Sequence, residues 1–200
     1  MGILRITIVL TFFSSGLAAR PISYPGGITL MTFSDVMKNS AYLHYSPNHK
    51  YSVGIETLKD KHFQQNYSYF RFTYLLDREN TKHSQRNLYF YSGIRFDNLG
   101  EHFYGFQGDW ETRRWFGGFA YKKTEVNSQQ YLERFLQLGI APYVGDYGDL
   151  HSWIMLKAKK TSFNDKWSIY PILKFFKKNF LIELGYRNKS EWDAQLIYRF

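Results

Sequence analysis

His151 and Ser152 stand side by side, and a histidine base beside a serine nucleophile is what ester hydrolysis uses. On a strand, however, consecutive side chains point to opposite faces, so this pair cannot share a hydrogen bond. His44 and Ser46, two residues apart, do share a face, but they run into the turn residues Pro47, Asn48 and His49. These four residues are the whole case for a lipid-modifying hydrolase, and no catalytic residue is assigned. The plainer expectation for His151 is a side chain in an enclosed interior, near Trp153, Lys157 and Lys159. Asp146 and Asp149, with Glu101, offer the hard oxygens that calcium takes. Two aspartates in a Gly-rich segment are also ordinary turn formers. The six histidines (His44, His49, His62, His83, His102 and His151) show no paired metal-binding spacing, and the chain has no cysteine. No metal and no cofactor is therefore expected. Gly26 with Gly27, and Gly117 with Gly118, lack the context of a phosphate loop and read as turn or close-approach glycines.

The elements that would carry these residues repeat with a period of two. Trp192, Ala194, Leu196, Tyr198 and Phe200 fall on one face of the last segment, with Glu191, Asp193, Gln195 and Arg199 on the other; Ile197 is the exception. Phe180, Ile182, Leu184 and Tyr186 oppose Asn179, Glu183, Gly185 and Arg187 in the segment before it. The same alternation sets Trp167, Ile169, Leu173 and Phe175 against Ser168, Tyr170 and Lys174, and Phe70, Phe72, Tyr74 and Leu76 against Tyr69, Arg71 and Thr73. It recurs with Leu88, Phe90 and Ile94 against Tyr89, Tyr91 and Arg95, and with Tyr104, Phe106 and Trp110 against Gln107, Asp109 and Glu111. Asn, Asp, Gly and Ser clusters separate the segments. No stretch has a convincing helical period; the best helical candidate is the poorly patterned 124–130.

Eleven segments are clear, starting near positions 41, 50, 67, 86, 103, 114, 133, 150, 166, 179 and 191. An even number is the rule for single-chain barrels. Ile28, Thr29, Leu30, Met31, Thr32 and Phe33 supply the missing strand and make twelve; ten is the alternative. Pro142 and Pro171 fall inside segments, where proline cannot donate to a ladder, and so mark bulges or ends.

The chain opens with Arg5, then an apolar run from Ile6 to Phe13, then Ser14, Ser15, Gly16, Leu17, Ala18 and Ala19. That order is a cleavable signal peptide over 1–19, leaving 20–200 as one domain. Apolar residues make up 44% and aromatics 20% of 200 residues, with a mean hydropathy of −0.44. The first figure excludes a polytopic helical membrane protein, and the aromatic density excludes a disordered chain. Export excludes nucleic acid as the partner of the +9 net charge.

Three features favour a transmembrane barrel over a soluble sandwich. Many segments run about ten residues, enough to cross a bilayer at a tilt. Aromatics gather near segment ends, as in interfacial girdles: Tyr67, Trp110, Trp115, Trp167, Phe175, Tyr186, Trp192, Tyr198 and Phe200. The polar faces carry both signs of charge. The expected lumen lining is Glu56, Arg71, Arg95, Asp109, Glu111, His151, Lys157, Lys174, Glu183, Arg187, Asp193 and Arg199. The expectation is an all-β, closed, antiparallel, up-and-down transmembrane β-barrel.

The final strand, with Leu196, Tyr198 and a terminal Phe200, resembles the C-terminal signal of bacterial outer-membrane β-barrel proteins. That resemblance implies an outer-membrane location, contact with outer-membrane lipids and lipopolysaccharide, and recognition by the outer-membrane assembly machinery. The run Ile140, Ala141, Pro142, Tyr143, Val144, Gly145, Asp146, Tyr147, Gly148, Asp149, Leu150, His151, Ser152 and Trp153 is similar to a family of gammaproteobacterial envelope proteins, which brings no activity with it. The functional expectation is a small outer-membrane barrel with a structural, binding or narrow-pore role and a partly filled charged lumen. The alternatives are a lipid-modifying enzyme of the outer membrane and a soluble periplasmic barrel that binds a ligand.

Overall fold

The computed structural model describes residues 21–146, 148–187 and 191–200. The segment 1–19, expected to be a signal peptide, and residues 188–190 lie outside the described residues. Twelve strands follow in order: β1 (Gly27–Ser34), β2 (Lys38–Ser46), β3 (Tyr51–Asp60), β4 (Gln65–Asn80), β5 (Ser84–Arg95), β6 (His102–Thr112), β7 (Trp115–Val126), β8 (Gln129–Ile140), β9 (His151–Thr161), β10 (Asn164–Lys177), β11 (Phe180–Tyr186) and β12 (Trp192–Arg199). Each pairs antiparallel with its neighbours in sequence, and β1 closes on β12, so that Thr29 stands opposite both His44 and Arg199. The strand expected over residues 28–33 is β1, and it supplies this closure. A closed ladder leaves no strand edge with unpaired backbone groups.

One end of the barrel carries both described chain ends, the turns 47–50, 81–83, 113–114 and 178–179, and the loop residues 141–146 and 148–150. It is called the terminal end below. The far end carries 35–37, 61–64, 96–101, 127–128 and 162–163, with Arg187 and Glu191. The 124–130 stretch is not helical. Val126 ends β7, Gln129 begins β8, and Asn127 and Ser128 form the turn with φ of 52° and 59°. Two consecutive left-handed residues match the twist of a tight hairpin, and asparagine tolerates that conformation. Pro142 stands just past β8, where Ala141 N still donates to Arg114 O at 2.7 Å. Pro171 is inside β10, opposite Leu156 of β9, but the ladder to β11 begins only at Ile172.

The alternation sorts the wall. Leu138 (71% exposed), Ile169 (70%) and Leu156 (60%) are on the outside, with Phe70, Phe106, Ile154, Leu184 and Trp192. The inside combines charged residues with packed rings. Tyr67, expected in an interfacial girdle, is instead inside and buried, in a cluster with Leu58, Tyr69, Tyr91, Phe103, Val126 and Tyr131. The exception at Ile197 has a similar cause: it is buried inside against the cluster of Trp153, Met155, Ile172 and Leu181. Glycines make room for these rings. A Cβ on inward-facing Gly93 would fall 2.4 Å from the Phe103 ring, and one on Gly105 would fall 2.7 Å from Tyr91. At the terminal end the chain folds back into the mouth. Ile22 packs on Leu75 and Tyr89, Ser23 N donates to Ser46 Oγ at 3.0 Å, and Ser52 Oγ donates to Pro21 O at 3.1 Å.

Candidate functional site

The inward positions of β2, β3, β4, β7, β8, β9, β10, β11 and β12 bring charges of both signs to one enclosure. Each is there because it is two residues from the next inward side chain on a strand. Arg71 Nη1 donates to Glu56 Oε2 at 2.9 Å, across the β3–β4 pair. Lys174 Nζ is 3.1 Å from Glu183 Oε1, directly opposite it in the β10–β11 register. Asp193 accepts from Lys157 Nζ at 3.0 Å and from Tyr170 Oη at 2.5 Å. Lys38 Nζ donates to Glu133 Oε2 at 2.5 Å, and Lys159 Nζ reaches both Asp35 and Glu133, the latter at 3.7 Å. All these side chains are 13% exposed or less. Ions this far from bulk solvent need partners, because an isolated one would cost several kcal/mol.

A cavity of about 220 Å³ lies among them. Its lining includes Lys38, Tyr42, Glu56, Arg71, Lys122, Glu133, Lys157, Lys159, Lys174 and Glu183. Aromatic rings stand behind several of these cations. Arg71 is 4.4 Å from the Tyr42 ring, Lys174 is 4.0 Å from Phe116, and Lys157 is 4.6 Å from Phe135. Asp35 lies outside the strands, in the 35–37 turn. Burial works against its charge, but the Lys159 and Lys38 ammoniums outweigh burial and hold its carboxyl below the usual carboxylate range.

The other residues expected in the lumen form smaller groups. Asp109 accepts from Asn87 Nδ2 at 2.6 Å, and Asn87 in turn accepts from Arg78 Nε at 2.7 Å. The β4 bulge between Leu75 and Asp77 shifts the register there, which brings Arg78 to the inner side. Glu111 and Arg199 are each 7% exposed, toward the terminal end. His151 lies over Trp153 and Phe176, 6.1 and 6.3 Å away, at that same end. Arg187 donates to Ser168 Oγ at 2.6 Å and lies over Tyr170. Arg95 sits at the far rim, bound to Asp97 and Glu101 at 2.5 Å each.

Asp35, Lys38, Lys122 and Glu133 were missed from the sequence. For two of them the alternation carries the signal. Glu133 shares a face with Tyr131, Phe135 and Gln137, and Lys122 with Phe116, Ala120 and Thr124, but the pairs Lys122–Lys123 and Glu133–Arg134 hide the alternation. Lys38 lies at the start of β2, before the expected segment. Asp35 is in a turn, where no periodicity reaches.

The structure does not assemble a hydrolytic pair. Ser152 faces outward and lies 3.1 Å from Tyr143 Oη, whereas His151 faces inward. His44 and Ser46 both face inward on β2, with Ser46 its last residue before the turn 47–50. Ser46 Oγ accepts from Ser23 N, and the His44 ring stacks on Tyr42 at 4.7 Å with both nitrogens unpartnered. The calcium trio is also separated, with Glu101 at the far end and Asp146 and Asp149 at the terminal end. Among the described residues no group of acidic or histidine side chains could hold a metal.

No protein-family model and no curated protein matches the chain. Two solved structures of the KdgM porin are similar to it, one of them in complex with disordered oligogalacturonate. Each aligns with a TM-score of 0.51 and 11% identity, over 87% of this chain and 98% of the porin chain. At that identity the likeness shows the shared fold, a closed antiparallel β-barrel.

Proposed function

We propose that this chain is an outer-membrane β-barrel whose lumen is a narrow, charge-lined passage for small solutes. The observation that carries the reading is the division of the wall. Aliphatic and aromatic side chains cover the outside of a closed sheet, and buried ion pairs of both signs line a cavity inside it. In hydrocarbon, closure satisfies every strand, and an apolar outer band flanked by rings suits the lipid. A soluble ligand-binding barrel would place its large apolar side chains inward, opposite to the arrangement here.

The interior supports restriction rather than a wide channel. Rings from Tyr69, Tyr91, Phe103, Trp153 and Tyr170 occupy much of the cross-section, and the returning segment with Ile22 occupies part of the terminal mouth. The oligogalacturonate in the porin complex is a polyanion. Here five cations at the cavity already face carboxylates, which argues for a smaller solute. Leu196 and Tyr198 face outward on β12, and Phe200 is 57% exposed, an arrangement that suits recognition of this strand during assembly. The expected partners are outer-membrane lipids, lipopolysaccharide and the assembly machinery.

Fractionation and bilayer recording test the reading. The protein is expected in the outer membrane, with a gel mobility that shifts on heating, and it is expected to give small discrete conductance steps. Recovery in the aqueous fraction without detergent would overturn the membrane reading. A heat-shifted barrel without conductance would overturn the passage.

A further inference from the structure

The cations around the cavity are not treated alike. Lys38, Arg71, Lys157, Lys159 and Lys174 each meet a carboxylate within 3.1 Å. Lys122, opposite Gly105 on β7, does not. It is 9% exposed and lines the cavity, with its Nζ over the face of Phe103, 3.8 Å from the ring centroid. Glu56 and Glu133 face the same cavity, but Arg71 holds one and Lys38 the other. A second donor is idle nearby. Arg71 lies 5.9 Å from the same Phe103 ring, and its Nε is buried without an acceptor.

A buried ammonium set over a ring, with the nearby carboxylates Glu56 and Glu133 each already paired to another cation, is under-compensated. The ring quadrupole supplies roughly 0.5–2 kcal/mol, well short of the several kcal/mol of desolvation. The geometry points to an anion site: we propose that the cavity binds one small monovalent anion, of the size of chloride or formate, against Lys122 Nζ. The site is limited to one charge because the neighbouring cations are already neutralised, and the 220 Å³ of space accommodates an ion of this size. This deepens the passage reading, on which it rests for access, by naming the solute class that the lumen selects.

The test uses the full barrel folded in detergent, with folding verified by the heat-dependent gel shift. Urea unfolding is compared in sodium chloride, sodium formate and sodium lactobionate at equal ionic strength, because the lactobionate monoanion, a disaccharide acid, is larger than the cavity. The unfolding equilibrium constant is expected to be about tenfold smaller in chloride or formate than in lactobionate, as for a ligand near ten times its dissociation constant. Lys122→Met is expected to abolish the difference, and Lys123→Met, altering the outward-facing neighbour, to preserve it. Equal stability of the unmodified barrel in the three salts would overturn the site, as would an undiminished difference in Lys122→Met. If Lys122→Met does not fold, the salt comparison on the unmodified chain decides alone. Loss of conductance with the salt difference intact would remove the passage and uphold the site.

Discussion

Asp193 is the sharpest place to ask whether the lumen behaves as an interior or as water. Its carboxylate accepts from Lys157 Nζ at 3.0 Å and from Tyr170 Oη at 2.5 Å, with the ion-paired side chains 6% and 3% exposed. Asp193→Ala strands a buried ammonium and a buried phenol together. Removing one partner of a buried pair costs about 3–5 kcal/mol, whereas an exposed pair contributes about 0–1 kcal/mol. Asp193→Asn keeps an acceptor for Tyr170 but leaves Lys157 unneutralised. A retained neutral hydrogen bond is worth about 1 kcal/mol, which places this variant at about 2–4 kcal/mol. Each ~1.4 kcal/mol is a tenfold change in the unfolding constant, so the alanine variant should shift it by at least a hundredfold. The assay is urea unfolding of the barrel in liposomes, reading the heat-sensitive band as the folded fraction. A loss below ~1 kcal/mol for Asp193→Ala would refute the reasoning, because it would mean that water solvates both stranded groups and the ion pairs do not organise the lumen.

Three further outcomes follow from the same geometry. Leu156→Arg, on the outer wall of β9, should destabilise the lipid-embedded barrel by about 2–4 kcal/mol; a change within ~0.5 kcal/mol, as on a watery surface, would count against lipid contact. Gly93→Ala should cost about 1–3 kcal/mol in chemical unfolding, because its Cβ would fall 2.4 Å from the Phe103 ring and force that ring to move; no loss would show the ring is not wedged there. Asp35, whose carboxyl is held below its ordinary 3.8, stabilises the fold fully above that pH, and the contribution is lost as pH falls through the lowered value. The stability gap between the unmodified barrel and Asp35→Asn should therefore shrink on acidification below 3.8; a gap constant over that range would remove the Lys159 and Lys38 contacts as its source.

Much of the wall is legible as period two. On β12, the alternation from Trp192 to Phe200 separates outside from inside because the outer face admits almost no charge. The same holds for β11 and for the middle of β4. Parity then supplies β1, whose weak pattern would not stand alone. What sequence cannot reveal is which inward residues meet across the lumen. Lys38 and Glu133 are 95 positions apart and belong to strands that share no ladder, so only closure brings them together. Tyr67 shows a second limit. A ring near a strand end suits an interfacial girdle or an interior cluster equally well, and only its parity with Tyr69 places it inside. The 124–130 stretch misleads because Asn127 and Ser128 take positive φ without the glycine that ordinarily marks a two-residue hairpin.

The central claim is that one side of the wall meets lipid while the other encloses ions, and the cysteine-free chain allows it to be measured directly. Single cysteines placed in turn at Trp153, Ile154, Met155 and Leu156 of β9 would each carry an environment-sensitive fluorophore in liposomes containing brominated acyl chains. Strong bromine quenching at 154 and 156 with little at 153 and 155 is the expected result. Quenching at 153 and 155 instead, or equal quenching at all four, would contradict the account.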